Sequence, residues 1–246
     1  MSRVKTLLKA VANQFLCYCD HQLEHSSRVP SSATSAMQRL ATSGFAPSMV
    51  ADVGAARGDW TRGLLPVFQS ACFWCCEPLQ ENEPFLKSLS AAHDRVGYWI
   101  GALGNRSGNT HFHTYGDQSS VLASEWPKGR VRTVRMETLD SLVSGGMMAA
   151  PNLLKLDVQG GEALVLDGAV SCLEHVLVAQ IEVSFRRVYD TAPLAADLVS
   201  RMGVSGFRVF DLCDVHYRRS DRALLQADIV FAREGPWWNP DRWSGI

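Results

Sequence analysis

The chain has 246 residues, 46% of them apolar and 20% charged, a composition that supports one large buried core and excludes a disordered tail or a charge-segregated fibre. Lys and Arg number 24 against 25 Asp and Glu, giving a net charge of -1, so no global basic field points to nucleic acid or an anionic membrane. The seven cysteines cannot all pair, and no apolar run reaches the roughly 18 residues of a membrane span, so a soluble cytoplasmic protein with reduced thiols is expected.

Residues Val4, Leu7, Leu8, Val11, Phe15 and Cys19 recur at helical spacing between Val4 and Leu23, on one face of an amphipathic helix. Asn13 and Gln14 interrupt the stretch, which therefore lacks the continuous core of a signal peptide. A polar loop around Pro30 leads to a short helix near Ala36 to Ala41. Residues 1–47 are read as an N-terminal helical cap, 48–233 as the main domain and 234–246 as a Trp-rich tail.

After Pro47, short apolar runs alternate with helically spaced stretches, the rhythm of a parallel sheet. Strands are predicted at Met49 to Val53, Cys72 to Glu77, Tyr98 to Leu103, Leu153 to Asp157, Val176 to Val183, Phe207 to Leu212 and Gln226 to Ala232. Helices are predicted at Trp60 to Phe68, Glu81 to Ala92, Glu162 to Gly168 and Pro193 to Met202. Alternating patterns at Thr110 to Tyr115 and Arg130 to Met136 predict an inserted antiparallel pair, followed by a short helix from Leu139. The link between the last two strands is too brief for a helical crossover, so the final pair is expected to be antiparallel.

Asp52-Val-Gly-Ala-Ala-Arg-Gly58 follows the first strand and opens a helix, the context in which a glycine-rich turn signals a nucleotide-like ligand. Gly54 and Gly58 allow a tight turn and close backbone approach, and Asp52 is a candidate acceptor for a bound ammonium, or a loop cap. Glu77 ends the second strand, 23 residues after Gly54, where a carboxylate can accept both hydroxyls of a ribose. Neither the full dinucleotide fingerprint nor the triphosphate loop is present, which disfavours a nicotinamide oxidoreductase and an ATP site.

With Phe73-Trp-Cys-Cys-Glu-Pro78, Ala102-Leu-Gly-Asn-Arg-Ser-Gly108 and Leu154-Lys-Leu-Asp-Val-Gln-Gly-Gly-Glu162, the chain resembles the FkbM-type S-adenosylmethionine-dependent methyltransferases from about Val50 to Arg233. The resemblance implies a Rossmann-like α/β fold of the class I methyltransferase type, a seven-stranded mostly parallel sheet with an antiparallel last strand. It also implies S-adenosylmethionine as cofactor, with Gly54, Ala55 and Gly58 lining the donor, Glu77 on its ribose, Ala102 and Leu103 at the adenine, and Asp157 near the methionine part or the acceptor. The expected acceptor is a hydroxyl of a small molecule such as a sugar or natural product. The family commonly has Asn where this chain has Ala56, so a side-chain hydrogen bond is lost there. A nonenzymatic donor-binding or partner-regulating protein of the same fold is the rival reading.

Asp157, Glu182 and His113 are the candidates for removing the acceptor's proton or orienting it. Glu182 is equally read as an ion-pair partner of Arg186 or Arg187, or as a metal ligand. Glu162 suits the first turn of a helix without any chemistry. His113 shares a strand face with His111, which is also the pattern of a solvated face. The thiols of Cys72, Cys75 and Cys76 alternate along a strand, and Cys17, Cys19, Asp20, His21 and His25 match no common zinc spacing, so no metal is expected. Trp237, Trp238 and Trp243 can pack on the body, cover the cleft or meet another subunit, and a homo-oligomer is left open.

Overall fold

The structure, a computed structural model, describes residues 31–114, 119–122, 130–189 and 191–239. The expected helix from Val4 to Leu23, with Cys17, Cys19, Asp20, His21 and His25, lies outside the described residues, as does Trp243. Strands β1 (Met49–Val53), β2 (Cys72–Glu77), β3 (Val96–Ile100), β7 (Leu153–Leu156), β8 (Val178–Ser184), β9 (Arg208–Tyr217) and β10 (Leu224–Ala232) form one sheet in the order β3-β2-β1-β7-β8-β10-β9. Only β10 runs against its neighbours, because the turn that joins it to β9 is too short to return the chain to the far end.

The parallel strands are buried on both faces, as continuous apolar runs such as Leu153, Leu154 and Leu156 require. On one face Val50, Phe73 and Leu153 pack against α1 (Ala33–Thr42), α2 (Asp59–Leu64) and α3 (Glu83–Ala92). On the other, Val53, Leu156 and Ile181 pack against α4 (Leu139–Ser144), α5 (Glu162–Asp167), α6 (Val170–Leu173) and α7 (Ala195–Val204). Ser32 caps α1 by accepting from the Ser35 N–H, and Thr138 caps α4 through a reciprocal box with Ser141.

The expected strand from Tyr98 to Leu103 is divided. After β3 the chain bends at Gly101, where a Cβ would stand 2.3 Å from the Trp99 ring. It then enters β4 (Ala102–Leu103), which pairs with β6 (Arg130–Glu137) rather than with β2. The inserted antiparallel pair is β5 (Gly108–Thr114) against β6. Tail residue Trp237 packs on Phe45, at a ring separation of 5.1 Å, and Trp238 on Phe210, at 5.5 Å. Both sit at the end of the sheet away from the carboxyl ends of β1 and β2, so they pack on the body and do not cover the cleft. Among the described residues no helix is long and apolar enough to cross a membrane.

Candidate active site

The turn after β1 is held from below. Asp52 is fully buried, and its Oδ2 accepts from Thr61 Oγ1 at 2.8 Å while its Oδ1 lies 3.2 Å from Lys155 Nζ. The ammonium that Asp52 meets is therefore the protein's own Lys155, a correction to the expectation that it serves a ligand. Lys155 also donates to the Gly54 carbonyl at 2.9 Å and lies 3.5 Å from Asp157 Oδ2. Burial disfavours its charge, yet Asp52 and Asp157 hold its pKa above the usual lysine value. One buried cation thus ties the first turn to the end of β7.

Gly54 has φ +79, and a Cβ there would stand 1.8 Å from the Asp157 carbonyl oxygen. Two turns touch at this point, and only glycine fits. Ala55 and Gly58 do not face the ligand side: the Ala55 N–H donates to the Cys76 carbonyl, and a Cβ on Gly58 would meet Leu89 at 2.8 Å. Both shape the turn instead of lining the space above it. Ala56 takes φ +47, a left-handed backbone that Asn or Gly adopts more readily than Ala.

Glu77 is 4% exposed. Its Oε2 accepts from the Ala56 N–H at 2.8 Å, and its Oε1 from the Leu79 N–H at 2.8 Å and Asn82 Nδ2 at 3.1 Å. Burial raises its pKa, and these donors oppose that shift. A carboxylate has about four lone-pair positions, so one acceptor position is left for a ligand.

Above these groups opens a cavity of about 660 Å³, within the size range of small-molecule sites. Its walls are Gly54, Ala56 and Arg57 from the first turn, Glu77 and Leu79 from the second, Ala102, Leu103 and Phe112 from the small sheet, and Asp157, Val158 and Gln159 from the end of β7. It stands at the carboxyl ends of the parallel strands, where open α/β sheets bind ligands. A more open depression of about 400 Å³ beside Asp140, Cys172 and His175 shares no residue with it.

At the far wall Asp157 is 38% exposed at its side chain and accepts from Gln159 Nε2 at 2.8 Å. The same Nε2 donates to Glu182 Oε2 at 2.9 Å, while Gln159 Oε1 is buried and has no hydrogen-bond partner among the described residues. Gln159 has φ +55, and its carbonyl accepts from Ser120 Oγ at 2.7 Å. Glu162 accepts from the N–H groups of Val158 and Gly160, which gives it the structural duty of bracing this turn.

Residues 52–209 match the methyltransferase FkbM domain. The chain belongs to this methyltransferase family. Among solved structures it is similar to methyltransferase FkbM from Methylobacillus flagellatus KT, at 18% identity and a TM-score of 0.48, covering 75% of this chain and 43% of that one. Precorrin-6y C5,15-methyltransferase from Geobacter metallireducens GS-15 is similar at 8% identity and a TM-score of 0.46, covering 87% and 97%. Magnesium protoporphyrin IX methyltransferase from Synechocystis PCC 6803, with bound SAM, is similar at 12% identity and a TM-score of 0.46, covering 81% and 76%. The chain spans less than half the length of the Methylobacillus protein. No curated protein matches its sequence.

In this FkbM-family chain two of the expected catalytic groups stand apart from the cavity. Phe112 lines it, and the alternation of β5 turns His111 and His113 to the opposite face, so His113 is not placed to take a proton from a bound acceptor. Glu182 lies behind Gln159 and accepts from Gln159 and from Gln226 Nε2 at 3.1 Å. Burial, with Asp157, Glu162 and Asp228 nearby, pushes it up to about 9. That shift favours its protonated form, which cannot take a proton from an acceptor. Lys155, Gln159 and Gln226 escaped the sequence reading, although a lysine in a strand buried on both faces needs a charged partner.

Proposed function

We propose that this methyltransferase binds S-adenosylmethionine in the 660 Å³ cavity and methylates a hydroxyl of a small molecule, of the sugar or natural-product class. The observation that carries the reading is Glu77 on the cavity wall with one acceptor position free, beside the glycine turn and the apolar pair Ala102 and Leu103. The residues present fit the donor: Glu77 for the ribose, Ala102 and Leu103 for the adenine, Gly54 for close backbone approach.

When bound, S-adenosylmethionine supplies an electrophilic methyl carbon on a sulfonium. The protein's part is alignment, worth more than acid–base help in such a displacement. Asp157 is the exposed carboxylate at the far wall, and it orients the hydroxyl and takes its proton. Ala56 keeps its backbone N–H on Glu77, so the missing Asn side chain leaves the turn closed around the ribose acceptor.

The reading is tested by methyl transfer from labelled S-adenosylmethionine to a panel of sugars and hydroxylated natural products. Asp157→Asn should lower the single-turnover rate about 10²- to 10⁴-fold, the range of a general base, with affinity for S-adenosylhomocysteine unchanged. Affinity and rate falling together would assign Asp157 to the donor instead.

A further inference from the structure

We propose that the tip of the β9–β10 hairpin docks an anionic polysaccharide whose neutral hydroxyl end enters the cavity. This inference rests on the methyl-transfer reading and extends it to the part of the acceptor that stays outside.

The topology sets the position. β10 is antiparallel to β8, with Gln226 opposite Ser184, so the turn between β9 and β10 emerges at the same end of the sheet as the cavity. The Phe185 N–H donates to the Leu225 carbonyl at 2.8 Å, which sets Arg186 beside that turn. Gln226 and Gln159 meet on Glu182, so a short chain of hydrogen bonds joins the base of the hairpin to the cavity wall.

The charge is local. Arg186, Arg218, Arg219 and Arg222 are all exposed here, in a chain of net charge -1. The acid within residues 217–223 is Asp221, already paired with Arg218. The turn is closed by Arg218 N–H to the Ala223 carbonyl and by Arg222 N–H to the Arg218 carbonyl, so the guanidinium groups stand on a braced element. Guanidinium forks match carboxylate and sulfate groups.

The cavity wall has the opposite character. Asp59, Glu77 and Asp157 line it, with Arg57 the one Lys or Arg among its described lining residues, which disfavours an anion at the reacting position. β7 and β10 are separated by β8, hence by two strand spacings or roughly 10 Å. An acceptor held by both the cavity and the hairpin must bridge that separation, which suits a chain of several sugar rings. Tyr217 is the aromatic of the tip, with the Arg222 guanidinium 5.7 Å from its ring; residues 217–223 hold no stacking platform of several rings for nucleic acid and no apolar wedge for a membrane.

The test measures binding of the full chain to polygalacturonate and to heparin, with single-stranded RNA and phosphatidylserine vesicles as the other anionic classes. Wild type should bind a polysaccharide with affinity that falls as salt rises. Arg219→Glu with Arg222→Glu should weaken it at least about tenfold, and Lys87→Glu with Arg135→Glu, the same charge change elsewhere, by no more than about twofold. Equal losses in the two double variants, no binding to either polysaccharide, or tighter binding to RNA or vesicles would overturn the inference. S-adenosylhomocysteine affinity, read in parallel, should be the same in all three proteins; its absence in wild type counts against the methyl-transfer reading and not against the hairpin.

Discussion

At the scale of single residues, the Glu77 carboxylate supports its own turn as well as any ribose. Truncation leaves the Ala56 and Leu79 N–H groups and the Asn82 amide without their acceptor. Glu77→Ala should therefore cost about 1 to 3 kcal/mol of stability for unsatisfied buried donors, in addition to weakening the donor. Chemical denaturation checks it, and wild-type stability would show that the turn is held by other contacts. Ala56 offers the reverse effect. Its left-handed backbone costs an L-residue about 1 to 2 kcal/mol, and Gly returns part of that in unfolded-state entropy. Ala56→Gly should thus raise stability by up to about 1 kcal/mol, with donor affinity kept because the N–H on Glu77 remains.

At the scale of elements, the end of β7 and the strands beside it concentrate acid around one lysine. Glu162 is pushed up to about 7, Asp228 to about 6 and Glu182 to about 9, in each case chiefly by burial. An acid whose pKa is raised on folding favours the folded state at low pH, and that contribution is lost as pH rises from the unfolded value toward the folded one. Stability should therefore decline between about pH 4.5 and 9. Glu182→Gln mimics the protonated acid and keeps an acceptor for Gln159 and Gln226. Melting curves should show a flatter pH profile for this variant and at least wild-type stability at pH 8. A profile as steep as the wild type's would mean that Glu182 is ionised in the folded protein. Element order and type were legible because apolar runs and helical spacing report burial directly. The break at Gly101 was not, since a single glycine between apolar residues gives no sign that the chain changes sheets.

At the scale of the whole molecule, the sheet order brings β1, β2 and β7 side by side although β7 follows β2 by some 75 residues, and that adjacency makes one site from separate motifs. The glycine turn and the strand ends pointed to Gly54, Glu77 and Asp157, and the family resemblance to Ala102 and Leu103; all five line the cavity. Motif spacing could not tell lining from support: Asp52, Ala55 and Gly58 belong to the same motif but face inward, and only the fold reveals that Lys155 occupies the Asp52 carboxylate. His113 and Glu182 were misplaced for a similar reason, since strand alternation and the Gln159 side chain intervene between them and the cavity. The central claim is that this cavity holds the methyl donor. Calorimetric titration of the wild-type chain with S-adenosylhomocysteine should show one site per chain, weakened about tenfold or more in Glu77→Gln, which loses the charge-assisted acceptor for a ribose hydroxyl. No heat of binding in wild type, or equal affinity in the two proteins, would contradict it.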